Sequence, residues 1–406
     1  MEVQQKIGHT QSQQAVKKIL TSTTAIKVAT RTIAITALFS TGFILVACGN
    51  FHSVLSKARS QNEIQSGAIT QTWLSKVTKQ WQPVQQSKLI FSPTFIGMGY
   101  DNLEFPPYNN KAVLQKELTM LEQTGAQGIT IDLGFGPWLK HDQTAINLDT
   151  YFINKIRSSG HLLFIKDAAA EVYRHNKLGW KQFETAWIKR VRTIAALYHP
   201  DYYTVIKEPG WYAPMIAGLS RNINSPADKQ VISVSAWATL LNKLATTVKQ
   251  VSPNTKVGIC IPGDSLYHGK VSLYVPLMNA ASHMADVNYL GFDIYDTTAF
   301  EDTLRFLRQN GTNGKAIWIN EAWDSTSSTT QTVNPARSKL DVNWIKVLYQ
   351  YALYIHAQGV SPFFTNFFAS YAPLPTTTQG ALSFFSKRTP VFYEFQKITS
   401  LNSLSP

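Results

Sequence analysis

Between Ser92 and the C-terminus, short β-rich runs alternate with longer helical stretches, a pattern that points to a parallel sheet with crossover helices. The strand candidates are Phe95–Tyr100, Gly128–Leu133, Leu162–Lys166, Tyr202–Lys207, Lys256–Ile261, Tyr289–Tyr295, Ala316–Asn320 and Pro362–Phe367. Helices are predicted over Lys111–Gln123, Leu148–Ser158, Trp180–Tyr198, Ser233–Val251, Val271–His283, Phe300–Gln309, Ser338–Ala357 and Thr378–Lys397. This series of strand–helix units fits an α/β fold of the (β/α)8 TIM barrel type. A doubly wound open sheet would usually carry a Gly-rich phosphate turn after an early strand, and this chain has none.

A core of that size is affordable only in a long, apolar chain, and 406 residues at 44% hydrophobic supply it. The formal charge is +13, but Lys6, Lys17, Lys18, Lys27 and Arg31 lie ahead of residue 47 against Glu2 alone. No dense Lys/Arg run with interleaved aromatics follows residue 60, so nucleic acid is not an expected partner. The uncharged run Thr32–Ala47 is shorter than the ~20 residues of a spanning helix and reads as a signal-peptide core. It ends Leu45-Val46-Ala47-Cys48, which resembles the bacterial lipobox and implies lipidation at Cys48. An uncleaved N-terminal anchor is the alternative. Either way the rest of the chain is expected outside the cytoplasmic membrane. The expected division is a signal peptide over 1–47, a lipidated polar tether over 48–91, the barrel over 92–400 and a tail over 401–406, with Ile69–Trp81 able to form a short helix packed on the barrel. With Cys48 committed to lipid, Cys260 has no intramolecular disulfide partner and reads as a small buried residue.

Reacting groups in a barrel come from the C-terminal ends of the strands. Two candidate strands end abruptly in a glutamate followed by aromatics: Val205-Ile206-Lys207-Glu208-Pro209-Gly210-Trp211 and Trp318-Ile319-Asn320-Glu321-Ala322-Trp323. Around them the rim carries Asp132, Trp138, Tyr267, Asp293, Tyr295 and Phe368. Aromatic faces stack on sugar rings and carboxylates bond hydroxyls, so this set suits a carbohydrate substrate. Asp132 reads equally as a sugar ligand or as a salt-bridge partner of Lys166. For Trp138, Trp211 and Trp323 ordinary loop packing competes with sugar contact.

The Glu208 and Glu321 strands resemble glycoside hydrolase clan A, whose retaining barrel enzymes carry the acid/base glutamate at the end of strand four and the nucleophile at the end of strand seven. The resemblance spans Ser92 to about Ser400 and implies Glu208 as acid/base and Glu321 as nucleophile. It places Asp293-Ile294-Tyr295 where many members have His-x-Tyr, with Tyr295 beside the nucleophile. It also implies an aromatic floor from strand eight, which Phe367 or Phe368 would supply. The clan's usual Asn before the acid/base is Lys207 here. Pointing into the pocket, its ammonium would favour ionised Glu208; pointing outward, it would only remove one sugar contact. The function expected is a surface-tethered, monomeric retaining β-glycosidase, with a glycan-binding lipoprotein that has lost turnover as the alternative.

Nine histidines are scattered without HExxH spacing, and G-x-S-x-G does not occur, so no metal, cofactor or Ser-His-Asp hydrolase is expected.

Overall fold

Strands that are buried on both faces lose the polar alternation of a half-exposed sheet, and Gly128–Leu133, Tyr202–Lys207 and Tyr289–Ile294 are each buried along their whole length. In a computed structural model that describes Trp73 and residues 88–99, 102–133, 142–167, 180–209, 233–268, 272–324 and 335–403, these runs join one parallel sheet. All described residues fall within the unit Ile69–Pro406. The strands are β1 (Ile90–Phe91), β2 (Gly128–Leu133), β3 (Leu162–Asp167), β4 (Tyr202–Lys207), β5 (Lys256–Pro262), β6 (Tyr289–Ile294), β7 (Ala316–Ala322) and β8 (Gly359–Pro362). Their order runs β1-β8-β7-β6-β5-β4-β3-β2. The ring is brought together where Thr94 bridges Thr130: the Thr130 amide donates to Pro93 O at 3.0 Å and the Phe95 amide to Thr130 O at 2.8 Å. The fold is the (β/α)8 barrel.

Inside the barrel the side chains change character with height. At the floor, Phe164 stacks on Tyr202 with centroids 4.3 Å apart, and Trp318 leans on both. Glycine makes room for these rings: a Cβ on Gly258 would lie 2.2 Å from Tyr289, and one on Gly359 2.2 Å from Trp318. Above the floor is a belt of neutral hydrogen bonds, in which Thr130 joins Ser92 at 2.7 Å and Ser361 at 3.0 Å, while Thr204 joins Tyr289 at 2.7 Å and accepts from Asn320 at 2.9 Å. The uppermost layer is charged and forms the candidate site.

The ends of the fold differ from the sequence expectation. The first strand is Ile90–Phe91, not Phe95–Tyr100, where Ile96–Met98 instead forms a 3-10 turn. Consequently β1 lies inside the segment expected to be tether. The last helical region is two helices, Thr378–Phe384 and Pro390–Ser403, with proline at a first helical position, where its missing N–H costs nothing. Asn402 ties the second of these to the start of the barrel, donating to Leu89 O at 2.7 Å and accepting from its amide at 2.9 Å. Trp73 packs on the helix after β6, 5.1 Å from Phe300, and donates to Glu301 at 2.9 Å.

Two helices begin earlier than predicted because an aspartate caps them. Asp142 accepts from Thr144 and Ala145 at the start of Gln143–Ser158, and Asp296 from Ala299 at the start of Thr297–Asn310. The eighth strand is Gly359–Pro362, ending where Pro362–Phe367 was expected to begin. The aromatic run beyond it turns sharply, with the Thr365 amide bonded to Phe363 O at 2.8 Å, and enters the short helix Asn366–Ala369.

Candidate active site

The charged layer is built by backbone register. β2 and β3 pair Asp132 with Lys166, β4 and β5 pair Lys207 with Cys260, and β6 and β7 pair Asp293 with Glu321. The register shifts in the β4–β5, β6–β7 and β7–β8 pairs, with the extra residue on β4 between Thr204 and Ile206 and on β7 between Ile319 and Ala322. A bulge re-aims side chains out of strict alternation. Asn320 and Glu321 are consecutive, yet Asn320 reaches Thr204 and Glu321 reaches Lys166 across the interior.

Glu321 is the hub. Its Oε1 takes Lys166 Nζ at 2.7 Å and also pairs with Lys207, while its Oε2 accepts from the Tyr295 hydroxyl at 2.5 Å. Asp132 completes the network, 3.2 Å from Lys166 and 3.5 Å from Lys207. Of the two roles open to Asp132, the salt bridge to Lys166 is therefore made. The two ammoniums stand 5.1 and 5.2 Å from the ring centre of Phe363, just beyond β8.

Glu208 sits at the tip of β4 with φ 48°, in the left-handed region, and its amide donates to Cys260 O at 2.8 Å. A non-glycine residue seldom adopts this conformation, least of all ahead of a proline, and here it carries the carboxyl of Glu208 to those of Asp293 and Glu321. One carboxylate oxygen from each of the three lies within 4.8 Å of the others. Among the described residues this is the acidic grouping whose spacing could hold a cation, but its most strongly ionised member already carries two ammoniums.

The environment drives these acids apart. Burial opposes ionisation of Glu321, but Lys166 and Lys207 together overcome it and hold its pKa down at about 2. Glu208 is pushed up by burial, against the pull of Lys207 and with the added repulsion of Glu321. Asp293 lies well above the usual carboxylate range through burial, then through the charges of Glu321 and Glu208. Asp132 is also raised by burial, opposed by both lysines. Burial raises the Tyr295 phenol, so it remains a donor. Lys207 thus points inward, but its ammonium is held on Glu321 and Asp132, and the Glu208 carboxyl stays raised.

Of the residues expected at the site, Glu208, Glu321, Asp132, Lys207, Asp293 and Tyr295 are brought together. Tyr267 is engaged with the helix after β6, its hydroxyl 3.0 Å from Gln309 and its ring under the Arg305 guanidinium. Trp323 and Phe368 are buried against one another, and Phe368 also stacks on Phe395, so neither ring offers a face to a ligand. The aromatic expected from strand eight is displaced because that strand ends five residues earlier, leaving Phe363 beside the charges. Trp138, Trp211 and Cys48 lie outside the described residues. Sequence reasoning named Lys166 only as a possible partner of Asp132 and gave Cys260 and Phe363 no place in the site. Alternation with Phe164 on β3 turns Lys166 to the interior.

No family model and no curated protein matches the chain. Solved structures do. A β-glucosidase from Thermotoga maritima in complex with azafagomine is 10% identical, with a TM-score of 0.53 over 78% of this chain and 98% of its own. An exo-β-1,4-mannosidase from Opitutaceae bacterium strain TAV5 is 8% identical, with a TM-score of 0.52 over 77% of this chain and 59% of its own. At these identities the likeness is one of fold: a barrel shared with glycoside hydrolases.

Proposed function

We propose that the chain is a retaining β-glycosidase acting on an oligosaccharide or polysaccharide. The observation that carries this reading is the opposed polarisation of two carboxyls in one cluster: Glu208 raised, Glu321 held at about 2, with carboxylate oxygens within 4.8 Å. Retaining enzymes separate their carboxyls by about 5–5.5 Å, and inverting enzymes by more, to admit a water. In this reading protonated Glu208 delivers its proton to the glycosidic oxygen as the bond breaks. Ionised Glu321 attacks the anomeric carbon through an oxocarbenium-like state. Glu208, now a base, then activates the water that releases the sugar. Tyr295 fixes the orientation of Glu321 through Oε2. Both structural neighbours are β-glycosidases by name, which supports a carbohydrate substrate.

The reading includes an extracytoplasmic, membrane-anchored monomer with lipid on Cys48, supported by the basic leader, the apolar run Thr32–Ala47 and the lipobox-like Leu45-Val46-Ala47-Cys48. Among the described residues no helix is long and apolar enough to cross a membrane.

A second reading, glycan binding without turnover, is favoured by one feature: both oxygens of Glu321 are occupied, one by the lysines and the other by Tyr295. A panel of aryl β-glycosides tested on wild type and Glu321→Ala separates the two. Hydrolysis that disappears in the variant supports the glycosidase. Retained glycan affinity with no hydrolysis of any panel member supports the binding protein.

A further inference from the structure

We propose that the site selects a cationic sugar, a β-glycoside bearing a protonated amine on the carbon next to the anomeric centre, and that Asp293 receives this amine. The proposal rests on the glycosidase reading and names the substrate class of that same site. Asp293 projects from β6 in register with Glu321 on β7. Its Oδ1 accepts from the Cys260 thiol at 2.9 Å. Its Oδ2 is buried, on a residue only 1% exposed, and meets no donor among the described residues. A buried carboxyl oxygen without a donor is costly, which makes it the point where a ligand completes the site. One oxygen of Asp293 lies within 4.8 Å of oxygens of both Glu208 and Glu321. Glu321, as nucleophile, touches the anomeric carbon. In the sugar ring that carbon is flanked by the ring oxygen, which has no hydrogen to donate, and by the next carbon, whose substituent does. An oxygen this near the attacking one reaches that substituent.

Charge decides between a hydroxyl and an amine. Lys166 and Lys207 are both engaged with Glu321 and Asp132, so Glu208 and Asp293 have no ammonium bonded to them. Burial and the charge of Glu321 keep both above the ordinary carboxylate range. Glu208 needs its proton for the leaving oxygen, which leaves Asp293 as the carboxyl whose charge a substrate can balance. A sugar hydroxyl would donate to Oδ2 and leave that charge uncompensated in a buried site. An ammonium donates and neutralises together, and charge-assisted hydrogen bonds are the stronger kind. A divalent cation fits less well, since it takes about six oxygen ligands and Glu321 is already ion-paired. The acidity continues beyond Asp293: the Gly263 amide donates to Asp293 O at 2.9 Å, Asp264 follows, and burial with repulsion from Asp296 raises its carboxyl.

The test compares phenyl 1-thio-β-D-glucosides bearing an amine, a hydroxyl or an acetamide at carbon 2, bound to wild type and Asp293→Asn by calorimetry at about pH 6, where the amine is protonated. The matching O-glycosides are assayed for hydrolysis in parallel. Wild type should bind the amine about 10- to 100-fold more tightly than the hydroxyl, with no gain for the uncharged acetamide, and Asp293→Asn should abolish that preference. The formal charge of +13 disfavours unspecific attraction of a cation, so the preference reports the site. Equal affinity of wild type for amine and hydroxyl overturns the proposal without recourse to a variant, and so does a preference that persists in Asp293→Asn. Preference for the amine without hydrolysis of any O-glycoside would keep the amine site and remove the glycosidase; hydrolysis without that preference would do the reverse.

Discussion

Lys207 Nζ is ion-paired with Glu321 Oε1 across the barrel, so the residue immediately before the candidate acid serves the candidate nucleophile. The arrangement gives the lysine a defined consequence. Its charge pulls both acids toward the ionised state, but burial keeps Glu208 raised while Glu321, paired directly with the ammonium, is held down.

Removing either ammonium leaves a buried carboxylate undercompensated. Lys166→Met and Lys207→Met should each destabilise the fold by about 3 kcal/mol in urea unfolding at neutral pH. Glu321 is depressed from its ordinary 4.5 to about 2, so it contributes stability above 4.5 that is lost as pH falls toward 2. Either variant should raise the Glu321 pKa and show a smaller loss over that acid window. An unfolding free energy that ignores both substitutions would contradict the network.

Glu117 carries the opposite linkage. Fully buried, it accepts from the Gly97 amide at 3.1 Å, and burial pushes its pKa up to about 8. Between 4.5 and about 8 the folded state binds the proton that the unfolded state has lost, so stability falls as pH rises through that window. Glu117→Gln, which keeps an acceptor and cannot ionise, should gain on wild type by a few kcal/mol, about 3, between pH 5 and pH 8. Chemical denaturation across this range measures it.

The left-handed φ of 48° at Glu208 costs stability, and the proposed role of its carboxyl as acid accounts for that cost. Glu208→Gly should stabilise the fold by about 1 kcal/mol while lowering kcat roughly 10²–10⁴-fold. Thermal unfolding with parallel kinetics checks both halves.

The sequence made most of this legible. Long apolar periodicity placed the central strands and helices within a few residues, because β2 to β7 are buried on both faces and carry a continuous apolar signal. It failed at both ends of the barrel. Ile90–Phe91 is too short to register, and Phe363–Phe368 has strand composition but forms a turn. That second miss moved the strand-eight aromatic from Phe363 to Phe368. Within the site, Glu208 and Glu321 were visible as strand-ending acids. Their network was not, since the bulges on β4 and β7 decide which side chains face inward and leave no mark in composition.

The aromatic floor offers a control remote from the charges. A Cβ at Gly258 would lie 2.2 Å from the Tyr289 ring, so Gly258→Ala should destabilise by roughly 1–3 kcal/mol, measurable by urea unfolding, without moving the pH dependence of any activity.

The anomeric configuration of the first-formed product, followed by proton NMR on a hydrolysed aryl β-glycoside, tests the pairing of Glu208 with Glu321 most directly. Carboxylate oxygens within 4.8 Å predict the β-anomer, with configuration retained. The α-anomer as first product, or no turnover of any glycoside by a protein that still binds glycan, would contradict it.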